Sequence, residues 1–249
     1  MPNTSANSGK KMVIIAGYFE NESYGLLGPQ MAATIIQDHT PYACIVIAVA
    51  REYDRSGLKK SLAEYFGPAK PLVGFSALSG REDLFALAKD LRDEGVTTIL
   101  AGPQANVDFS GEVGWRDHPH RFKGLSENFN FGLHGPAEQA IELINCLDGK
   151  EDWSQIPGLL YIDRNGDVRE NASNAWNPNY LGKVRWNNIY KTAGDGIAPF
   201  DISMGQVLQH IGCPHAARTS ALEIDYPVSL SESREKRIKI SLNGCSFCD

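Results

Sequence analysis

The feature that most constrains the fold is an alternation of short apolar runs with amphipathic segments over the first 150 residues. The apolar runs are bounded by Gly or Pro, as is typical of strands that are buried on both faces of a parallel sheet. They read "MVIIAGY", "ACIVIAVA", "PLVGFSAL", "TTILAGPQ" and "FNFGLHG". The alternation predicts an α/β domain with a doubly wound, Rossmann-like parallel sheet over residues 11–150, after a disordered N-terminus at 1–10.

The clearest helical segment lies between the third and fourth apolar runs, at residues 81–94. Its leucines and alanine recur at the spacing of one helix face. Ser79 and Glu82 have the spacing of a capping box at its start, and Gly95 supplies a residue that commonly ends a helix. A final helical pattern, "PAEQAIELINCLDG", closes the predicted domain near residue 149.

Composition excludes several classes of protein. A chain of 249 residues with 42% hydrophobic residues can bury a large core, and its net charge of -6 comes from interspersed charges. We therefore expect no nucleic-acid partner. The run "ACIVIAVA" is too short to cross a bilayer, and the N-terminus lacks the apolar core of a secretion signal, so we expect no membrane association and a cytoplasmic location. Five cysteines without such a signal favour free thiols or metal ligands, with Cys44 and Cys146 in the core.

The pattern changes after residue 149. "IPGLLYIDRNGDV" predicts a hairpin around Asn165 and Gly166, and residues 170–204 are rich in Asn, Trp, Pro and Gly. We interpret residues 151–204 as a hairpin and linker. A second unit begins at Gly205 with two strand-like runs, "QVLQHIGC" and "RIKISLNGC", separated by a polar stretch. Residues 205–249 are too few to complete that unit.

Small residues are concentrated directly after the predicted strands. "ENESYGLLGPQ" follows the first, "SALSG" the third, "AGPQA" the fourth and "HGPAE" the fifth. Ligands of open parallel sheets bind outside the carboxyl ends of the strands, so several backbone segments could approach one flat ligand there. A dinucleotide site would instead need Gly-x-Gly-x-x-Gly after the first strand, which is absent. The alternative is that these residues only form tight strand-to-helix turns.

These segments resemble the cobalamin-binding domain that precedes the catalytic domain in some radical S-adenosylmethionine enzymes. "GFSAL" is similar to the Ser-x-Leu of that family, "ILAGPQA" to its Gly-rich turn, and "HGPAEQAI" stands where it has Gly-Glu-Gly-Glu. The resemblance implies that the corrin ring and its nucleotide tail contact residues after the third, fourth and fifth strands. Two further candidate residues lie in the run after the first strand. The predicted cofactor-binding residues are Tyr24, Gly25, Ser76, Leu78, Gly102, Pro103 and Gly135.

One departure from related domains concerns the cobalt. Other cobalamin domains carry Asp-x-His-x-x-Gly after the first strand, with the His as the lower cobalt ligand, and this motif is absent from the chain. His39 directly follows Asp38 at the end of a helical pattern, which favours an ordinary surface or core histidine. If cobalamin binds, we expect no histidine beneath its cobalt.

The last cysteines of the chain have the spacing of metal ligands. Gly-Cys-Pro at 212–214 and Gly-Cys-x-Phe-Cys at 244–248 resemble the radical S-adenosylmethionine signature, although Ser241 occupies the position of its first cysteine. The resemblance implies that Cys213, Cys245 and Cys248 hold a [4Fe-4S] cluster that chelates S-adenosylmethionine, with an insertion of 31 residues after Cys213. The alternative is a third ligand beyond Asp249.

The resemblance thus implies the N-terminal part of a cobalamin-binding radical S-adenosylmethionine enzyme, with 205–249 as the start of a (β/α) barrel. Its chemistry would be methyl transfer or radical rearrangement, and its partners small-molecule cofactors and an unidentified substrate. A rival interpretation adds His215 to the three cysteines as a complete Cys3His structural zinc site. The chain would then be a non-catalytic module that binds cobalamin or a nucleotide.

Overall fold

The computed structural model describes residues 9–20, 26–76, 80–102, 104–147, 149, 152–202, 220–225 and 237–242. The chain divides into two compact units, Met1–Met204 and Gly205–Asp249, and each is described separately.

Strands and helices alternate through the first part of unit one, as the sequence pattern predicts. In chain order they are β1 (Lys11–Gly17), α1 (Leu27–His39), β2 (Ala43–Val49), α2 (Arg55–Phe66), β3 (Leu72–Ser76), α3 (Glu82–Asp93), β4 (Thr97–Ala101), α4 (Ala105–Ser110), β5 (Phe131–Leu133) and α5 (Gln139–Cys146). The start of α3 differs from the prediction: its N-cap is Arg81, and no side chain caps it. Glu82 is therefore the first helical residue, two positions before the one that a capping box requires for its acidic residue.

The central strands form a parallel sheet in the order β5-β4-β3-β1-β2, which is one of the doubly wound arrangements. From β1 the chain goes to β2 on one side, and β3, β4 and β5 follow on the other side. The direction of winding therefore reverses between β1 and β3. This reversal is the topological switch point, and the fold is a mostly parallel α/β sheet as predicted.

Helices cover both faces of the sheet, because alternate side chains of each strand point to opposite faces. Met12, Ile14 and Ala16 of β1 pack in one core cluster, which also contains residues of α1 and α5. Val13 and Ile15 pack in a second cluster with residues of α2, α3 and α4. Both clusters are buried, which explains why the strands are almost continuously apolar.

Residues 151–202 enlarge this sheet at both edges. The predicted hairpin around Gly166 is present: β6 (Leu159–Ile162) and β7 (Val168–Glu170) pair antiparallel, and β6 pairs with β5. On the opposite edge, β8 (Ile189–Ala193) pairs parallel with β2, and β9 (Gly196–Pro199) pairs antiparallel with β8. The sequence analysis did not predict these last two strands, because their apolar residues are too few to alternate clearly. Their strand conformation depends on pairing with the edge of β2.

Among the described residues, no helix combines the length and apolarity needed to span a bilayer.

In the second unit the structure describes one antiparallel pair, β10 (Ser220–Asp225) and β11 (Arg237–Leu242). β11 coincides with the strand-like run "RIKISLNGC", whereas β10 lies in the polar stretch, for which no strand was predicted. The run "QVLQHIGC" lies outside the described residues. An antiparallel pair does not by itself represent the start of a parallel (β/α) barrel, so that part of the fold prediction stays a prediction.

The two cysteines of the first unit behave as predicted for core residues. Cys44 is buried in β2, Cys146 is half-buried at the end of α5, and both are free thiols. Burial raises the pKa of the Cys44 thiol well above its ordinary value.

Candidate functional site

The switch point is where a doubly wound sheet is expected to have its ligand crevice, at the carboxyl ends of β1 and β3. Ser76, the last residue of β3, lies between Ala16 of β1 and Ala101 of β4 in the strand register. It is half-buried, and Gly102 follows on the neighbouring strand with a φ of +128°, which is accessible mainly to glycine. The structure therefore brings Ser76 and Gly102, two of the predicted cofactor-binding residues, to the same edge.

Four other predicted cofactor-binding residues, Tyr24, Gly25, Leu78 and Pro103, lie outside the described residues. In the sequence they belong to the connections that leave β1, β3 and β4 at this edge. Their contacts with a ligand therefore stay predictions.

Gly135 has a different environment from Ser76 and Gly102. It follows β5 with a φ of +93°, and a Cβ built on it would come within 2.0 Å of Ser173 Oγ and 2.6 Å of Gln139 Nε2. The protein's own side chains thus fill the space beside its Cα. The absence of a side chain at this position is accounted for by internal packing.

Ser173 belongs to residues 171–177, which we call the strap. The main-chain N–H groups of Asn174 and Asn177 donate to Gln139 Oε1 at 2.8 Å and to Glu138 Oε1 at 2.6 Å. At its beginning, Asn171 Nδ2 donates to two main-chain carbonyls at 2.6 and 2.8 Å. The strap is thereby attached to the start of α5, next to the end of β5. The strap therefore covers the end of β5.

Arg81 is a residue at this edge that the sequence analysis missed. Its Nη1 and Nη2 donate to the carbonyl oxygens of Val49 and Ala50, each at 3.0 Å, and its guanidinium pairs with Asp83 at 2.7 Å. A Cβ on Gly17 would come within 3.0 Å of Nη1, so the guanidinium passes directly beside the end of β1. Arg81 thus joins the segment after β3 to the end of β2 across β1.

The charge of Arg81 determines the ionisation of Asp83. Burial acts to raise the pKa of the Asp83 carboxyl, but the hydrogen bonds and positive charge of Arg81 outweigh it, and the pKa is lowered. The pair is consequently ionised at neutral pH. No motif marks Arg81, since its main-chain partners lie at the end of a strand that is distant in sequence.

Two histidines bear on the question of a cobalt ligand. His39 ends α1 and makes a hydrogen bond of 2.9 Å with the carbonyl oxygen of Tyr180. Because α1 rises about 1.5 Å per residue, His39 lies almost 20 Å from the crevice end of this helix. His134 directly follows β5 at the crevice edge, and its Nε2 lies 3.2 Å from Glu170 Oε1. The geometry separates His39 from the crevice and leaves His134 beside it.

Two cavities in the described part open at the other end of the sheet. One of about 480 Å³ is lined by residues that include Trp153 and Tyr161, and Tyr161 pairs with Phe131, the first residue of β5. The other, of about 130 Å³, is lined by residues that include Leu72 and Thr97, which begin β3 and β4. Both therefore lie away from the crevice at the switch point.

The predicted metal ligands Cys213, Cys245 and Cys248, together with His215, lie outside the described residues. Within the described residues, no group of three or more His, Cys, Asp or Glu side chains is arranged to hold a metal ion.

Comparison with known proteins found no matching family model and no matching curated protein. The chain is similar to two solved structures of the cobalamin-dependent S-adenosylmethionine radical enzyme OxsB. One has aqua-cobalamin and S-adenosylmethionine bound, with 14% identity, and the other has aqua-cobalamin bound, with 15% identity. In both cases the TM-score is 0.48, and the similar region covers 67% of this chain and 23% of the OxsB chain.

Proposed function

We propose that the first unit binds cobalamin in the crevice between β1 and β3, and that the chain belongs to a radical S-adenosylmethionine enzyme. The observation that carries the proposal is the position of the switch point. The strand order makes the edge at β1 and β3 the expected ligand crevice, and the residues that the sequence resemblance selects, Ser76 and Gly102, lie on that edge.

The residues present fit a large, flat ligand over β3 and β4. The Ser76 hydroxyl is available as a hydrogen-bond donor or acceptor, and the glycine backbone at Gly102 permits close approach. The strap beside Gly135 restricts contacts at β5, so we expect the ligand to lie mainly over β1, β3 and β4. Bound cobalamin would supply methyl-group transfer or assistance to a radical rearrangement.

The register of the second unit supports a shared site for the three cysteines. Ser220 is opposite Leu242, so the segments that carry Cys213 and Cys245 leave the same end of the β10–β11 pair. Cys213 is seven residues before Ser220, and Cys245 is three residues after Leu242. Fully extended, these segments reach at most about 25 Å and about 10 Å. A separation of 31 residues in the sequence is thus compatible with one site for both cysteines.

Three thiolates suit a [4Fe-4S] cluster that keeps one iron open, which is the site where S-adenosylmethionine would chelate. The zinc alternative uses the same cysteines with His215. Anaerobic reconstitution with iron and sulfide distinguishes them. We expect a brown, oxygen-sensitive protein, whereas a colourless protein that retains zinc supports the structural site.

Titration of the 249-residue chain with hydroxocobalamin tests the binding proposal. We expect a change in the cobalamin spectrum and co-elution on gel filtration. Ser76→Leu should weaken binding, because a branched side chain would fill the crevice. Ser154→Leu is the matched control, since Ser154 lines the cavity at the opposite end of the sheet. Failure of the wild-type chain to bind, or weaker binding by Ser154→Leu alone, would refute the proposed location.

Electron paramagnetic resonance of the bound cob(II)alamin form tests the cobalt environment. We expect no nitrogen superhyperfine splitting, since the lower-ligand motif is absent and His39 is far from the crevice. If splitting is observed, His134→Ala should abolish it and His39→Ala should not. That result would make His134 a cobalt ligand and contradict the expected absence of one.

A further inference from the structure

Gln30 is a buried polar residue whose side chain has no hydrogen-bond partner in the part of the chain that the structure describes. It lies in the first turn of α1 with 0% exposure, and neither Oε1 nor Nε2 is bonded to another described residue. Buried carboxamides are almost always hydrogen-bonded, because removal from water without a new partner is unfavourable. An amide that stays unsatisfied in this way lowers the stability of a fold until a partner pairs with it.

The unpaired carboxamide lies at the crevice end of α1. This helix follows the connection from β1 and so begins at the carboxyl ends of the strands. Helical side chains point back toward the N-terminus, which directs the Gln30 amide toward that edge. The start of α1 also lacks a side-chain cap and has no acidic residue in its first turn. A helix start of this kind favours a ligand that carries a hydrogen-bond acceptor.

The next buried polar residue of the same helix has hydrogen-bond partners. Thr34, one turn after Gln30, donates to the Gln30 carbonyl oxygen at 2.8 Å and accepts from the N–H of Arg185 at 3.0 Å. The hydroxyl of buried Thr34 thus both donates and accepts a hydrogen bond. The unsatisfied amide lies on the crevice side of it.

A second unpartnered atom lies on the same side of the sheet. Glu138, the N-cap of α5, is 9% exposed, and its Oε1 accepts from the strap. Its buried Oε2 has no hydrogen-bond partner among the described residues. α1 packs against α5, and both helices begin at the crevice edge. Unsatisfied polar atoms thus occur at the starts of two neighbouring helices that border the crevice.

We propose that Gln30 is a ligand-binding residue, whose carboxamide pairs with a group that offers both a donor and an acceptor. This inference rests on the proposed function, because the periphery of a corrin ring carries primary carboxamides, which match the two atoms of Gln30. Binding of such a group would satisfy a carboxamide that the unliganded protein leaves unpaired. Gln30 would then be a specificity residue on α1, outside the strand-end motifs.

The test compares Gln30→Met with Gln37→Met in the 249-residue chain. Methionine has a similar length and volume and lacks the polar atoms. Gln37 is a matched control, because it is half-buried two turns further along α1, with a buried Nε2 that also lacks a partner. It lies about 10 Å further from the crevice. Thermal unfolding is measured without ligand, and hydroxocobalamin affinity is measured by spectral titration.

Gln30→Met should raise the Tm of the unliganded chain by about 2–4 °C, because an unsatisfied amide is replaced by apolar atoms. It should weaken hydroxocobalamin binding by about tenfold or more, because the ligand group then loses its partner. Gln37→Met should leave the affinity unchanged.

A lower Tm for Gln30→Met would show that the amide has an internal partner. Equal affinity of the wild type and Gln30→Met would show that the amide does not contact the ligand. Either result overturns the inference. Absence of hydroxocobalamin binding by the wild type refutes the proposed function itself, and with it the assigned ligand.

Discussion

The hydroxyl of Ser173 occupies the position where a side chain on Gly135 would lie: a Cβ on Gly135 would be 2.0 Å from Ser173 Oγ. Such a separation is far below van der Waals contact. Gly135 and the strap therefore depend on each other, and the end of β5 is covered as long as Ser173 remains in place. This relationship leads to the first prediction.

Gly135→Ala should destabilise the fold through both backbone conformation and packing. A left-handed φ costs a non-glycine residue about 1–2 kcal/mol, and overpacking adds about 1–3 kcal/mol. Gly166→Ala is the matched control, since Gly166 has a φ of +86° with open space around its Cα. Urea unfolding should show the larger loss for Gly135→Ala, and adding Ser173→Gly should recover part of it. Equal losses for the two alanine variants would contradict the packing role of the strap.

Arg81→Gln should destabilise the protein by about 2–4 kcal/mol at pH 7, because the main-chain carbonyls of Val49 and Ala50 lose charged donors. Arg169→Gln removes an exposed arginine from its ion pair with Asp163 and should change the free energy of unfolding little. Chemical denaturation of the two variants measures the difference. Similar losses would show that Arg81 makes no special contribution at the strand ends.

The same arginine predicts a pH dependence. Arg81 lowers the folded-state pKa of Asp83 below its ordinary 3.8, so the unfolded chain binds a proton first as the pH falls. The stabilisation is present above the unfolded-state pKa and is lost as the pH decreases through the folded-state pKa. Wild-type stability should therefore fall more steeply between pH 5 and pH 3 than that of Arg81→Gln. Parallel curves would contradict the coupling.

Cys44 should make the fold less stable in alkaline solution. Burial raises the pKa of its thiol in the folded state above the ordinary 9.0, so above pH 9 the unfolded chain releases a proton that the folded chain retains. The free energy of unfolding should then decrease with a slope of up to about 1.4 kcal/mol per pH unit. Cys44→Ala should reduce that slope between pH 9 and 10. Tyr65→Phe is the control, because burial also raises the pKa of Tyr65 and an unfolded tyrosine titrates only near 10. An unchanged slope in Cys44→Ala would show that other groups cause the decrease.

The cysteine triplet is tested by iron content after anaerobic reconstitution. Cys213→Ala should lose as much iron as Cys245→Ala or Cys248→Ala, because three thiolates hold one cluster. His215→Ala should retain its iron, whereas in the zinc interpretation it removes a ligand and lowers zinc content. If Cys213→Ala retains iron while the other two cysteine variants lose it, the third ligand is a residue other than Cys213.

The sequence predicted the elements whose signals are local. β1 and its parallel neighbours are apolar runs bounded by breakers, and α3 has one apolar face and a glycine at its end, so their positions could be read within a few residues. The position of β8 could not be predicted in this way. It is a short edge strand with mostly half-buried residues, so its strand conformation depends on pairing with β2. The N-cap of α3 was also wrong, since Ser79 matches the capping motif while the helix begins after Arg81.

By itself the sequence determined an alternating α/β order with small residues after the strands, because periodicity and turn preference act over neighbouring residues. The family resemblance selected Ser76 and Gly102, which the strand order brings to one edge, and their contact with a ligand stays a prediction. Only the tertiary structure decided that Gly135 packs against Ser173, that Arg81 bonds the end of β2, and that Gln30 is buried with no partner among the described residues. Each of these facts depends on packing between segments that are distant along the chain, and no local pattern encodes such contacts.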